Sequence, residues 1–183
     1  MSLTQVWEVV GGGDKGGIIV RAGQDTQSAA LDRVSTGAFL LQLALEGDRL
    51  QYEKLSGTGP QTGWVALKLK DKDLCRQSDK KVVTLQFMSP LSREAEHVCD
   101  FHALEESTVA SVKMSCCKRF PGLKPASMIP IKVKKGEREE GGTGGESPKL
   151  NDTDTLKDAG LETGDEFAFI YMGDIEADFK LPA

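Results

Sequence analysis

Lys149 to Met172 reads KLNDTDTLKDAGLETGDEFAFIYM, and the fold of the second half of the chain turns on it. It divides into a polar turn, a brief helical corner over Thr155 to Leu161, a tight turn at Gly164-Asp165 and a strand. In the strand, Phe167, Phe169 and Tyr171 alternate with Ala168, Ile170 and Met172, so both faces are apolar. That pattern belongs to a strand inside a sheet with at least one face fully buried. Leu156 and Leu161 in the corner supply two plugs for the core beside it.

Upstream, Val82 to Met88 (VVTLQFM) is a strand ended by Ser89-Pro90. Glu94 to Leu104 is its hairpin partner, with Ala95, His97, Cys99, Phe101 and Ala103 on one face. Glu96, Val98, Asp100, His102 and Leu104 fall on the other. Ser107 is the expected N-cap of a helix whose Val109, Val112, Cys116 and Phe120 recur at three- and four-residue steps. Pro121-Gly122 stops that helix. Met128 to Lys134 is the next strand, and Lys135 to Pro148 (KGEREEGGTGGESP), lacking apolar residues, is predicted to be a disordered loop.

Strand, strand, helix, strand, long loop, corner, strand is the order of a β-grasp fold, and roughly residues 81–173 resemble ubiquitin-like domains. Ser107 to Lys113 (STVASVK) is similar to the family's capped helix start, and Asp154 to Leu161 (DTLKDAGL) to its corner before the last strand. The resemblance implies a single-sided core in which the helix residues meet Val83, Leu85, Phe87, Phe101, Ile131, Phe167 and Phe169. Two departures stand out. The last strand is followed by GDIEADFKLPA instead of a tail ending in Gly-Gly, so conjugation through a terminal glycine is not expected. On the family alignment Lys132 and Lys134 point outward beside Ala168 and Ile170, altering the usual contact patch.

Residues 4–75 hold short strands punctuated by glycine turns, the sign of a small β-barrel or sandwich. Strands are predicted at Thr4–Val10, Ile18–Arg21, Leu31–Val34, Ala38–Leu45, Arg49–Leu55 and Gly63–Leu69, with a mobile loop at Gly11–Gly17. Val20-Arg21-Ala22-Gly23 and Thr62-Gly63-Trp64-Val65 carry a resemblance to the bacterial-type SH3-like domain. The Gly11–Gly17 insertion and the missing aromatic-rich loops depart from that family. The charged stretch Asp71 to Lys81 (DKDLCRQSDKK) reads as a linker, with the boundary near Arg76 to Asp79. The fold class is thus mainly β plus α+β. An SH3-like β-barrel spans 1–76, a linker 77–80, a ubiquitin-like β-grasp domain with one main helix 81–176, and a tail 177–183.

Composition narrows the function classes. The chain of 183 residues carries a net charge of −5, all of it in residues 79–183. Residues 1–78 balance nine basic against nine acidic side chains, which argues against nucleic-acid binding. There is no run of the eighteen or so apolar residues of a membrane span, and the N-terminus MSLTQVWEVV does not read as a secretory signal. Four cysteines (Cys75, Cys99, Cys116, Cys117) are too sparse for a disulfide scaffold, which suggests free thiols in a reducing, intracellular compartment. A plastid is compatible with this reading if a targeting segment has been removed.

Three constellations invite chemistry. His97, Cys99 and His102 lie close to one another, and Cys116-Cys117 further on, but there is no C-x-x-C. His102 points away from the other two in a strand, and adjacent helical cysteines diverge by about 100°. No metal, cofactor or catalytic residue is therefore assigned. GGGDKGG around Lys15 lacks the order of a phosphate loop and is followed by a strand rather than a helix. Trp7, Phe39, Tyr52 and Trp64 could line a groove, with Trp64 read as core or half-buried and Trp7 and Tyr52 as candidate contacts.

The sequence reading is a non-catalytic protein-interaction module, an adaptor or accessory subunit whose partners are other protein chains. Its glycine-rich spelling resembles proteins of single-celled algae, where such subunits decorate photosynthetic complexes. A small-molecule ligand is not indicated. The expected contact residues are Trp7, Tyr52, Lys132, Lys134, Ala168, Ile170 and Met172. A thiol- or metal-dependent enzyme using His97, Cys99, Cys116 and Cys117 is one alternative; glycan or cell-wall binding through the SH3-like domain is another.

Overall fold

A computed structural model describes residues 5–88, 97–133 and 149–178. The chain divides into two compact units between Lys81 and Val82. The predicted turn at Ser89-Pro90, residues 94–96 and the loop 135–148 lie outside the described residues. Among those described, the chain is rich in β-strand with few helices, and no helix is long and apolar enough to cross a membrane.

The first unit contains β1 (Val6–Val9), β2 (Ile18–Arg21), β3 (Ala30–Val34), β4 (Phe39–Glu46), β5 (Arg49–Lys54), β6 (Thr62–Ala66), β7 (Lys68–Leu69), β8 (Lys72–Asp73) and β9 (Cys75–Ser78). Seven of these form one sheet in the order β3-β2-β6-β5-β4-β1-β9, while β7 and β8 pair as a separate hairpin. The large sheet ends at β3 and β9 and does not close on itself. Its core gathers Val9, Ile18, Val20, Val34, Leu40, Leu50, Tyr52 and Val65.

The expected linker is a correction. Cys75–Ser78 is a strand, antiparallel to β1 with Val9 opposite Cys75 and Val6 opposite Ser78. An edge strand needs few inward residues. Here Cys75 alone is buried while Arg76 and Gln77 stay exposed, so no alternation marks it. The single strand expected over Gly63–Leu69 is also two, β6 and β7, separated at Leu67, whose carbonyl accepts the Leu74 N–H at 2.7 Å.

The glycine loop has defined geometry. A 3₁₀ turn at Gly13–Lys15 is closed by Lys15 N–H and Gly17 N–H, both donating to Gly12 O at 2.9 and 2.8 Å. Gly17 has φ +120°, and a Cβ there would collide with the Val34 carbonyl of β3. Only glycine fits so close a backbone approach.

The second unit contains β10 (Val82–Met88), β11 (His97–Leu104), α1 (Val109–Arg119), β12 (Met128–Val133), β13 (Glu166–Tyr171) and α2 (Ile175–Asp178). The sheet order is β11-β10-β13-β12, with β13 parallel to β10 and antiparallel to β12. The strand that closes the chain therefore lies inside the sheet, as its doubly apolar pattern predicts. Phe87 sits at the centre of the core: its ring stacks on Phe120 (5.3 Å) and Phe169 (5.6 Å) and meets Phe101 edge-on (5.7 Å). Val109, Val112, Cys116, Leu156, Leu161 and Phe167 complete the packing.

The N-terminus of α1 shows how the corner is held. Thr108, not Ser107, is the N-cap, its Oγ1 accepting the Ser111 N–H at 3.2 Å. The Val109 and Ala110 N–H groups donate to Asp154 O (2.9 Å) and Asp152 O (3.0 Å). These are helix-end donors with no partner inside the helix. Ser107 instead accepts from the Leu156 N–H at 2.9 Å, and Thr108 bridges to Thr155. In the corner, Thr155 Oγ1 donates to Asp158 Oδ2 (2.7 Å) while the Asp158 N–H donates back to Thr155 Oγ1 (3.1 Å). Lys113, 8% exposed, is the one buried charged side chain among the described residues. Its Nζ reaches Asp152 Oδ2 at 2.6 Å and Met128 O at 3.5 Å.

The edges of this sheet carry contacts from the same chain. Leu150 N–H donates to Pro130 O of β12 at 3.1 Å, and Arg119 Nη1 donates to Asp100 O of β11 at 3.1 Å. The expected tail from 177 begins inside α2. There the Tyr171 hydroxyl donates to Asp178 Oδ2 at 2.8 Å and accepts the Lys124 N–H at 3.1 Å. That hydrogen bond, ahead of the nearby Lys124, holds the Asp178 carboxyl below its usual range.

Two substitutions test this account. Gly17→Ala is expected to cost about 2 kcal/mol in urea unfolding, whereas Gly13→Ala, whose Cβ meets nothing, should be close to neutral. Asp152→Ala leaves Lys113 without its anionic partner; a loss of about 1–3 kcal/mol is expected, with a smaller loss when Lys113→Met is added. Equal losses in the single and double variants would contradict the pairing.

Candidate functional site

The side of the second sheet turned away from α1 is set by register. Ile129 lies opposite Ile170 and Ile131 opposite Ala168, so these four residues share that outer face. Pro130 and Lys132 lie opposite Phe169 and Phe167 on the helix side. The outward placement of Lys132 is thus corrected by one position. Its Nζ turns to the corner, donating to Gly160 O at 2.7 Å and pairing with Asp165 Oδ2 at 2.8 Å. MIPIKV is apolar at both parities until Lys132, so the sequence gives no sign of which set faces out. Lys134 lies outside the described residues.

Of the expected contact residues on and just after β13, Ala168 is buried, and Ile170 (44%) and Met172 (71%), the residue following the strand, are exposed. Half-buried Ile129 and Ile131 belong to the same face and were missed because the alignment favoured the lysines.

Trp7 and Tyr52 are corrected from contact residues to core. Trp7 Nε1–H donates to Gln42 Oε1 at 2.9 Å, and the fully buried Tyr52 donates its hydroxyl to Pro60 O at 3.1 Å. Burial, with Cys75 close by, pushes the Tyr52 hydroxyl well above its ordinary range. Trp64 is half-buried and lies on the other face, since Tyr52 is opposite Gly63. Phe39 is half-buried beneath Lys80, whose Nζ stands 4.9 Å from the ring centroid. The four aromatics do not converge on one groove.

Cys75 is buried in the first unit, and in the second Cys116 is buried with half-buried Cys99 and Cys117 packed against the same core. All four cysteines are free. Burial pushes Cys75 up to about 12, and burial followed by Cys117 and Cys99 pushes Cys116 higher still. Cys117 is also raised by burial, against the pull of Lys113, and its Sγ lies 3.3 Å from Met128 Sδ. The thiolate is the reactive form, so these environments suppress nucleophilic chemistry. His97 Nε2 lies 2.8 Å from Asp100 Oδ1 on the exposed edge strand. Among the described residues no three His, Cys, Asp or Glu side chains gather into a metal-binding group.

No family model, curated protein or solved structure matches this chain. The site is therefore defined by its own geometry: an outer sheet face on which Ile170 and Met172 stand exposed beside Ile129 and Ile131.

The shifted thiols set a pH dependence. Cys75 stays protonated in the fold to about 12 but ionises near 9.0 once unfolded. Its contribution is complete below that lower value and lost as pH rises toward the upper one, because ionisation then favours the unfolded chain. The thermal midpoint should hold from pH 7 to 8 and fall above 9. Cys75→Ala should flatten that fall by up to about 1.4 kcal/mol per pH unit. An unchanged slope in the variant would remove Cys75 from the account.

Proposed function

We propose that this chain is a non-catalytic protein-interaction module, an adaptor or accessory subunit of a larger assembly. In this reading the first unit is an SH3-like domain and the second a ubiquitin-like β-grasp domain. A four-stranded mixed sheet with its closing strand inside and one main helix across a single face supports the second assignment. The short, glycine-punctuated strands and the Val20–Gly23 and Thr62–Val65 stretches support the first.

The observation that carries the function is the exposure of Ile170 on the interior strand β13 and of Met172 immediately after it. Leaving large apolar side chains on one face in water is unfavourable, and covering each stabilises a complex by about 1.5–3 kcal/mol. The partner surface is accordingly apolar at its centre. Affinity purification from the native source should recover a co-purifying protein chain. Ile170→Asp with Met172→Asp should weaken that recovery by about tenfold or more while leaving the circular dichroism and thermal midpoint unchanged. A wild-type chain that elutes alone, or a double variant that retains its partner fully, would rule out this face.

A further inference from the structure

Arg21, at the end of β2, and Arg49, at the start of β5, both turn their guanidiniums onto the loop 22–29. Arg21 Nη1 donates to Ser28 O at 2.6 Å; Arg49 donates from Nε to Gln24 O at 2.8 Å and from Nη2 to Gly23 O at 3.4 Å. All three acceptors are neutral carbonyls. Among the described residues neither arginine is ion-paired with a carboxylate. After burial, repulsion from Arg21 is the main influence lowering the Arg49 pKa, with Asp25 opposing it. The Asp25 carboxylate accepts the Gln27 N–H at 2.8 Å.

The same side of the sheet carries an aromatic ring. Trp64 lies opposite Arg21 on one neighbouring strand and Gln51 on the other. Arg49 is two positions from Gln51 and therefore on that same face. A half-buried indole thus shares a face with two half-buried guanidiniums. Each guanidinium carries five N–H donors in a planar fork. The loop carbonyls engage one donor on Arg21 and two on Arg49, which leaves donors on both.

The loop is rigidly built. Ser28 Oγ donates to Asp25 O (2.6 Å) and accepts the Gly23 N–H (3.2 Å), and the Ala22 N–H donates to Ala29 O (2.9 Å). The two charges are therefore held near one another before any ligand arrives, an arrangement that an anion would relieve.

We propose that Arg21, Arg49 and Trp64 form a binding subsite for an oxyanion group, a carboxylate or phosphate, carried on a partner polypeptide. Bidentate guanidinium contacts suit either group, and the indole covers an adjoining apolar or planar side chain. A nucleic-acid strand is disfavoured because residues 1–78 balance nine basic against nine acidic side chains, giving no extended positive track for a phosphate backbone. The subsite lies in the first unit and stands independently of the Ile170 and Met172 face.

The test uses the ¹⁵N-labelled full chain. Inorganic phosphate, acetate and chloride are titrated at constant ionic strength while the Trp64 indole N–H and the Gly23, Gln24 and Ser28 amides are followed. Saturable movement with phosphate and acetate but not chloride is expected, with the buried Trp7 indole unmoved. Arg49→Lys and Arg21→Lys keep the charge but lose the fork, and each should weaken phosphate binding by about tenfold. An unchanged Trp7 indole reports that the variants are folded, and either variant suffices. An acidic hexapeptide, unmodified or phosphorylated, should bind at lower concentration than a single-stranded oligonucleotide; the two peptides distinguish carboxylate from phosphate as the source. No saturation with either oxyanion, or equal shifts with chloride, would overturn the subsite. Tighter binding of the oligonucleotide would overturn the partner class.

Discussion

The second unit depends on the junction between the N-terminus of α1 and the turn that precedes the last strand. A helix begins with N–H groups that no residue of its own can satisfy. Here two of them are taken by the carbonyls of Asp152 and Asp154, more than forty positions along the chain. Lys113 draws the same turn inward from below, because its buried ammonium requires the Asp152 carboxylate. With the turn fixed, Leu156 and Leu161 close the end of the core and β13 enters the sheet beside β10. Helix, turn and central strand are therefore tied to one another by hydrogen bonds and packing. Phe87 then finds Phe120 on one side and Phe169 on the other.

The first unit solves a different problem. Among its described residues there is no α-helix to lay across its sheet, so its strands must curve to cover their own core. Bulged registers in β2–β3 and β4–β5 and glycines in left-handed turns allow this curvature. The same close approaches bring side chains from distant strands to the loop 22–29. Two arginines consequently meet there, bonded to loop carbonyls and, among the described residues, ion-paired with no carboxylate.

Legibility in the sequence followed the strength of the local pattern. Phe167 and Phe169 were readable as core, and Val109, Val112, Cys116 and Phe120 as the buried helix face, because burial imposes a period on them. β9 was hidden because an edge strand with one inward cysteine carries no period. Choosing between Ser107 and Thr108 as the cap was equally beyond local pattern: both side chains can cap, and the bridge from Thr108 to Thr155 decides. The parity of β12 failed for a related reason. Its residues are apolar on both sides, so a shift of one position leaves the pattern intact while exchanging Lys132 for Ile131 on the outer face. Trp7 and Tyr52 belong to the core because Gln42 and Pro60 satisfy their polar ends, partners that composition does not reveal.

The contacts made by Leu150 and Arg119 with the borders of the second sheet bear on how copies of the chain behave when crowded. A bare strand border is a template on which another strand can pair, and repeated pairing leads to fibres. On β12, Pro130 offers no N–H and its carbonyl is already bonded to Leu150. On β11, the Asp100 carbonyl is engaged by Arg119. Both borders are thus obstructed from within. Self-templated growth is discouraged at these points, and association is directed to side-chain surfaces, where partners can be told apart by shape and charge.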